Sequence, residues 1–261
     1  MTAVISIAAH LKSPMPMACG RPILALMIER LARNRYAKVV VATTVEPIDD
    51  PIEAVARSMG TLCVRGTDGN VIEQHALAMW SAHADIVCGA NATEPLLAPQ
   101  LFDAMIERIR DRRTPVEYVK THSWPVGMNA WAVTKQALID ADIEAVPDER
   151  AKVALFWDRR PTRYPMLMMA RIGGADNPPF SLATDTQAGL DLTCRIFETL
   201  YPRHPDFGAE DVVLLLRDHP EWAPSLTPAG PDLAVGRSAH SAIPVGVGPA
   251  PVRVFYDTES E

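Results

Sequence analysis

Short apolar runs separated by segments of helical period dominate the first two thirds of the chain. Val4 to Ala8, Lys38 to Ala42, Thr61 to Arg65 and Asp85 to Gly89 have the length and apolar content of buried strands. Between them Ile23 to Arg33, Ile52 to Met59 and Val71 to Ala84 read as helices, the last with Val71, Ile72, Leu77, Ala78 and Trp80 as its apolar positions. Strand, helix, strand, helix in this rhythm predicts a mostly parallel central sheet with helices on both faces. Pro99 opens an amphipathic helix over Gln100 to Arg112, which places Leu101, Met105, Ile106 and Ile109 on one side.

The pattern then loosens. Val116 to Lys120, Ala130 to Val133 and Tyr164 to Met169 read as short strands, with a helix over Lys135 to Ala141, and together predict an arm or hairpin over about 115–170. Asp185-Thr-Gln-Ala-Gly leads into a helix ending near Tyr201, and Ala209 to Asp218 makes another. Past Trp222 the chain is rich in Pro, Gly, Ala and Ser, which is linker or tail composition over 223–261. Val252 to Tyr256 within it has strand character, for this subunit or a neighbour. One domain over 1–222 plus a tail is expected, and there are no internal repeats.

Composition narrows the function classes. The chain has 261 residues, 48% hydrophobic and 22% charged, enough to bury a full core. A net charge of −7, with no run of Lys and Arg, offers no field for a nucleic-acid backbone. Cys19, Cys63, Cys88 and Cys194 lie far apart and form no zinc or redox motif, so reduced thiols in a cytoplasmic protein are expected. The amino terminus lacks the basic region of a signal peptide, and no apolar segment approaches the roughly 20 residues that span a bilayer. His10, His75 and His83 have no metal-like spacing, so surface or packing roles are expected. There is no G-x-S-x-G elbow and no Walker loop.

Several segments, in order, carry a more specific signal. GRPILALMIERL at 20–31, VVVATT at 39–44, RGTDGNVIEQ at 65–74 and ADIVCGANATEPLLAP at 84–99 are followed by WPVGMNAWAV at 124–133, DERAKV at 148–153, FSLATDTQAGLDLTCRIFETLY at 180–201 and EDVVLLLRDHPEW at 210–222. This series resembles the cytidylyltransferase family that activates acidic sugars such as acylneuraminate and KDO, and most closely its branch named after a spore-coat polysaccharide protein. The likeness spans roughly residues 4–222. It implies a GT-A-like nucleotide-diphospho-sugar transferase fold, a homodimer formed through the middle arm, CTP as substrate, Mg2+ as cofactor, and transfer to a small anionic acceptor with release of pyrophosphate.

The same resemblance places the candidate site residues and shows where the chain departs from the pattern. The family's first loop, R-x-x-S-x-R-x-P-x-K, is represented by the shorter AAHLKSPMPMACGR at 8–21, which leaves Lys12, Ser13 and Arg21 as phosphate contacts. Asn70 stands for the Asp of G-x-x-x-D-V-L, and Thr93 for the metal-binding Asp of G-D-x-P, with Asn91 and Glu94 beside it. Alternation of side chains along a strand would turn Glu94 away from the position of Thr93. Asp185 matches the second metal carboxylate, or caps the following helix together with Thr186. Asn129 replaces the Asp of P-x-G-x-D. Arg150 and Lys152 match the segment E-R-E-H-V and provide cations for an acceptor, or line a solvated helix. Trp124 and Trp131 flank the Gly127 turn and are placed to stack on a base or sugar, or to pack. Three function classes follow: a cytidylyltransferase for a sugar acid, phosphonate or similar acceptor; a non-catalytic relative acting as a partner or ligand-binding subunit; and a glycosyltransferase-like enzyme, against which the absence of a D-x-D motif at a strand end counts.

Overall fold

The structure, a computed structural model, describes residues 1–11, 15–171 and 176–222, together with the backbone of 253–257. In chain order the elements are β1 (Ala3–Ala8), β2 (Met17–Ala18), β3 (Arg21–Pro22), α1 (Ile23–Leu31), β4 (Ala37–Thr44), α2 (Asp50–Ser58), β5 (Leu62–Gly66), α3 (Val71–Ala82), β6 (Ile86–Asn91) and α4 (Pro99–Arg110). There follow β7 (Tyr118–His122), β8 (Trp131–Thr134), α5 (Lys135–Glu144), α6 (Pro147–Ala151), α7 (Ala154–Asp158), β9 (Met166–Arg171), α8 (Gln187–Leu200), α9 (Ala209–Asp218) and β10 (Arg253–Asp257).

Eight strands form one sheet in the order β10-β9-β7-β8-β6-β1-β4-β5. β1 pairs in parallel with both β4 and β6, and β8 is the antiparallel member between β6 and β7. The expected mostly parallel sheet is therefore present. The three strands expected to form an arm over about 115–170 instead hydrogen-bond into this sheet and continue it. β10, whose residues overlap the expected strand in the tail, pairs in parallel with β9 of the same chain. No helix among the described residues is long and apolar enough to cross a membrane.

All six residues of β1 are buried, as expected for a central strand covered on both faces. Ala3, Ile5 and Ile7 point into one core with Leu24, Met27 and Ile28 of α1 and with Phe102, Met105 and Ile106 of α4. Val4 points the other way, into a core with Ile72 and Ala76 of α3, Leu138 of α5, and Phe156 and Trp157 of α7. The period of two along one strand thus defines both layers. A third cluster joins Ile23 and Leu26 of α1 to Ile196 and Phe197 of α8 and to Val212 of α9.

Arg30 is the exception on the apolar helix α1: it is fully buried. Its guanidinium donates to the carbonyls of Pro95 at 3.0 Å, Pro205 at 3.1 Å and Phe207 at 2.6 Å, and stands 3.7 Å from the centre of the Phe207 ring. Burial lowers its pKa to about 9, which leaves it charged near neutrality. Replacing Arg30 with Met removes a cation and leaves three carbonyls without their donor. Since a hydrogen bond to a charged group contributes about 1.5–3 kcal/mol, Arg30→Met is expected to destabilise the fold by about 3 kcal/mol or more in urea unfolding.

Candidate active site

A cleft of about 740 Å³ opens at the carboxyl ends of β1 and β6 and extends over β8, β7 and the α6–α7 junction. From β1 the chain moves outward through β4 to β5, then returns to the opposite side of β1 as β6. The gap between β1 and β6 is therefore the topological switch point, where open α/β sheets bind their ligands.

Two glycines shape the cleft. Gly89 on β6 is the cross-strand partner of Trp131 on β8. A Cβ at position 89 would lie 2.0 Å from the indole, so the ring occupies the space above a strand residue that has no side chain. His75 meets the Trp131 ring edge-on at 5.0 Å, and Trp157 lies beyond it at 5.3 Å. His75 is itself buried, and its Nδ1 is 2.8 Å from the hydroxyl of Ser6. Burial lowers its pKa to about 3, so it is a neutral packing group with an edge on the cleft. Gly127, at φ +89°, is the second: a Cβ there would lie 2.4 Å from the Ala183 nitrogen. This close approach pins 182–184 beside the Val126 turn through Leu182 N–H to Val126 C=O at 2.8 Å.

That pinning brings the segment carrying Asp185 near enough to Glu94 for its charge to act on the Glu94 carboxyl. Thr184 N–H donates to the Thr93 carbonyl at 2.8 Å, tying the segment before Asp185 to the turn that carries Glu94. β6 ends at Asn91, and Glu94 N–H donates to the Asn91 carbonyl at 2.8 Å, so Glu94 lies in a turn rather than on the strand. Strand alternation therefore does not orient it, and its side chain lines the cleft. Burial, with the nearby charge of Asp185 adding to it, raises the Glu94 pKa to about 7. Asp185 is exposed and is not the helix cap: Thr186 is, accepting from Gly189 N–H at 3.1 Å.

On the opposite wall Lys120 pairs with Asp158 at 2.7 Å. Glu149, buried, accepts from Arg159 at 3.2 Å and Arg160 at 2.9 Å, and the Arg160 hydrogen bond leads in holding its pKa below the ordinary range. These contacts fix α6 against α7 and present Lys152, exposed and lining the cleft, from the loop between them.

Of the residues singled out in the sequence, Asn91, Glu94, Asn129, Trp131 and Lys152 line the cleft, as does Trp124. Thr93 stands beside it and uses its carbonyl to hold Thr184. Arg21 is committed to Glu29 at 2.7 Å. Asn70 caps α3 by accepting from Glu73 N–H at 3.3 Å, and Arg150 reaches that same Asn70 oxygen at 3.3 Å and the Asp142 carbonyl at 3.1 Å. Arg21, Asn70, Arg150 and Asp185 are not among the cleft's lining residues. Lys12 and Ser13 lie outside the described residues. Sequence reasoning passed over Lys120, Asp158 and Asp49. Asp49 is buried, accepts from Leu11 N–H at 2.8 Å and from the Thr44 hydroxyl at 2.5 Å, and anchors the segment that leaves β1. Among the described residues no group of three His, Cys, Asp or Glu could hold a metal ion.

The sheet order and the switch-point cleft define a nucleotide-diphospho-sugar transferase type of α/β protein. Within that class the chain belongs to the cytidylyltransferase family, whose profile matches residues 14–177. It is 22% identical over 215 residues, 80% of this chain and 88% of its relative, to the spore coat polysaccharide biosynthesis protein SpsF of Bacillus subtilis. Its fold is similar to that of a cytidylyltransferase from Leptospira borgpetersenii, with a TM-score of 0.75, 20% identity, and coverage of 87% of this chain and 98% of the other. It is also similar to a CMP:2-keto-3-deoxy-manno-octonic acid synthetase complexed with CTP, with a TM-score of 0.57, 16% identity, and coverage of 76% of this chain and 99% of the other.

The raised pKa of Glu94 predicts a pH signature. Between the unfolded value of 4.5 and the folded value of about 7 the native state holds a proton that the unfolded chain has lost, so stability falls as pH rises through that window. In thermal unfolding from pH 4.5 to 7.5, Glu94→Gln is expected to gain on the parent as pH increases, with the gain levelling off above pH 7. Equal slopes for the two proteins would contradict this placement of Glu94.

Proposed function

We propose that this protein transfers a cytidylyl group from CTP to a small anionic acceptor. An acceptor oxygen attacks the α-phosphorus, the bond from that phosphorus to the bridging oxygen breaks, and pyrophosphate leaves. The observation that supports this reading is Glu94 lining the switch-point cleft together with Lys120 and Lys152, with the charge of Asp185 near enough to act on the Glu94 carboxyl.

Triphosphate chemistry of this kind uses a divalent cation, and the two carboxylates fit one. Burial first, and the nearby charge of Asp185 second, hold Glu94 partly protonated near neutrality, and a cation there would favour the ionised form. Mg2+ is commonly held by one or two carboxylates with the remaining positions filled by water and substrate phosphate, so a group of three protein ligands is not required. Glu94 and Asp185 would hold the ion, and when bound it would offset the charge of the phosphates. This chain's own residues contribute position: Trp131 and Asn129 border the acceptor, Lys152 attracts its charge, and Asp49 holds Leu11 where the chain leaves β1. A homodimer in the cytoplasm is part of the same reading.

One observation favours a second reading, a non-catalytic relative that binds a ligand or partner. Thr93 stands where the family pattern has a carboxylate, and Arg21 is committed to Glu29. A single experiment separates the two. Thermal shift and calorimetry with CTP, ATP, GTP and UTP, each with and without Mg2+, are expected to show Mg2+-dependent stabilisation by CTP. At a hundredfold excess over the dissociation constant this amounts to about 2.7 kcal/mol, and it should be lost in Asp185→Ala. No response to any nucleotide at millimolar concentration would remove the transfer reading in favour of the second.

A further inference from the structure

The part of the cleft over β7, β8 and the α6–α7 junction has an apolar wall built from Val71, Tyr118, Trp131, Val153 and Leu155. Among the described residues the buried Tyr118 hydroxyl has no hydrogen-bond partner and Asn129 is exposed at the rim, while several other polar side chains are already partnered. Lys120 holds Asp158 at 2.7 Å, the Thr121 hydroxyl accepts from Ala130 N–H at 3.1 Å, and His75 faces Ser6 at 2.8 Å. Lys152 at the rim is exposed and takes part in no ion pair among the described residues. Such a wall offers area to a body without hydroxyl groups and one free cation to a head with negative charge. Against the carbon surface of Val71, Trp131, Val153 and Leu155 a polyol would exchange water for carbon, at about tenfold in affinity for each hydroxyl left without a partner.

We propose that the acceptor is a small acid with an apolar body, an alkyl or aryl phosphonate or carboxylate rather than a polyhydroxylated sugar acid, with its head at Lys152 and its body against Trp131. This rests on the reading of the cleft as the acceptor site of a cytidylyl transfer. The arrangement is held in place by Gly89: a larger residue there would displace the indole that forms the centre of the wall.

The test is calorimetric titration of the full-length chain, without nucleotide, using butylphosphonate and 2,3,4-trihydroxybutylphosphonate. Butylphosphonate is expected to bind at least tenfold more tightly. Trp131→Ala should bring the ratio close to one, and Lys152→Ala should weaken both ligands alike. Leu155→Asn, at a partly exposed wall position, serves as the second selectivity variant should loss of the indole disturb the core around Trp157. Equal or tighter binding of the trihydroxy acid overturns the proposal, as does a ratio unchanged in both wall variants, or no binding of either acid at millimolar concentration. The CTP thermal shift is read separately. Selectivity for butylphosphonate without any nucleotide response would support the apolar subsite and overturn cytidylyl transfer, whereas a CTP response without acid selectivity would do the reverse.

Discussion

Arg30 satisfies three backbone carbonyls at once, and much of the architecture depends on that geometry. The carbonyl of Pro95 belongs to the turn that carries Glu94, and those of Pro205 and Phe207 belong to the approach to α9, so one guanidinium fixes α1, the edge of the cleft and the carboxyl-terminal helices relative to one another. A buried charge without a carboxylate is tolerated because a planar fork of donors meets several carbonyls and the aromatic face of Phe207. A lysine offers no such fork, and an apolar residue would leave the carbonyls unpaired. The cost of desolvation appears in the lowered pKa of the guanidinium, which still stays well above neutrality.

On that frame the cleft is assembled by close approach rather than by a network of polar side chains. Gly89 lets Trp131 lie across β6, His75 supports the indole from its edge, and Gly127 lets 182–184 come within reach of Thr93. Buried His75 is held neutral, so it adds shape without adding field. Among the lining residues the carboxylates and lysines are Glu94, with Asp185 close enough to act on it, and Lys120, Asp158 and Lys152. With Lys120 internally paired, the free positive charge among these residues is Lys152, and attraction of an anionic ligand depends on it more than on the surrounding wall.

The sheet was legible because its central strands are buried on both faces and read as apolar runs: β1, β4 and β6 fall where those runs fall, as does the half-exposed edge strand β5. The hairpin of β2 and β3 and the helices α6 and α7 were not, since strands of two residues and helices of five are shorter than the periods that would announce them. Glu94 was misjudged because alternation applies only while the strand lasts, and β6 stops three residues earlier. Asn70 did carry a readable signal, since Asn followed three places later by Glu73 is the spacing of a reciprocal cap, and the structure uses it so. The pairing of Lys120 with Asp158, across 38 positions, leaves no local trace in the sequence. The expected arm dissolved into the sheet because β7, β8 and β9 find backbone partners there, and short strands gain more from a ladder already formed than from a hairpin of their own.

The departures from the family pattern are distributed in a way that has physical meaning. Segments that match it closely, such as GRPILALMIERL and FSLATDTQAGLDLTCRIFETLY, supply the residues that pack α1 and α8 into the shared third core. Those that differ, Thr93, Asn129 and the shortened stretch after β1, stand at the cleft or lead into it. A change at Leu26 or Ile196 would open a cavity in a close-packed interior, whereas a change at Asn129, exposed at the rim, alters what the cleft attracts and leaves the fold untouched. Loss of a carboxylate at Asn129 also removes a negative charge from the side of the cleft where Lys152 stands, which strengthens the pull of that lysine on an acid.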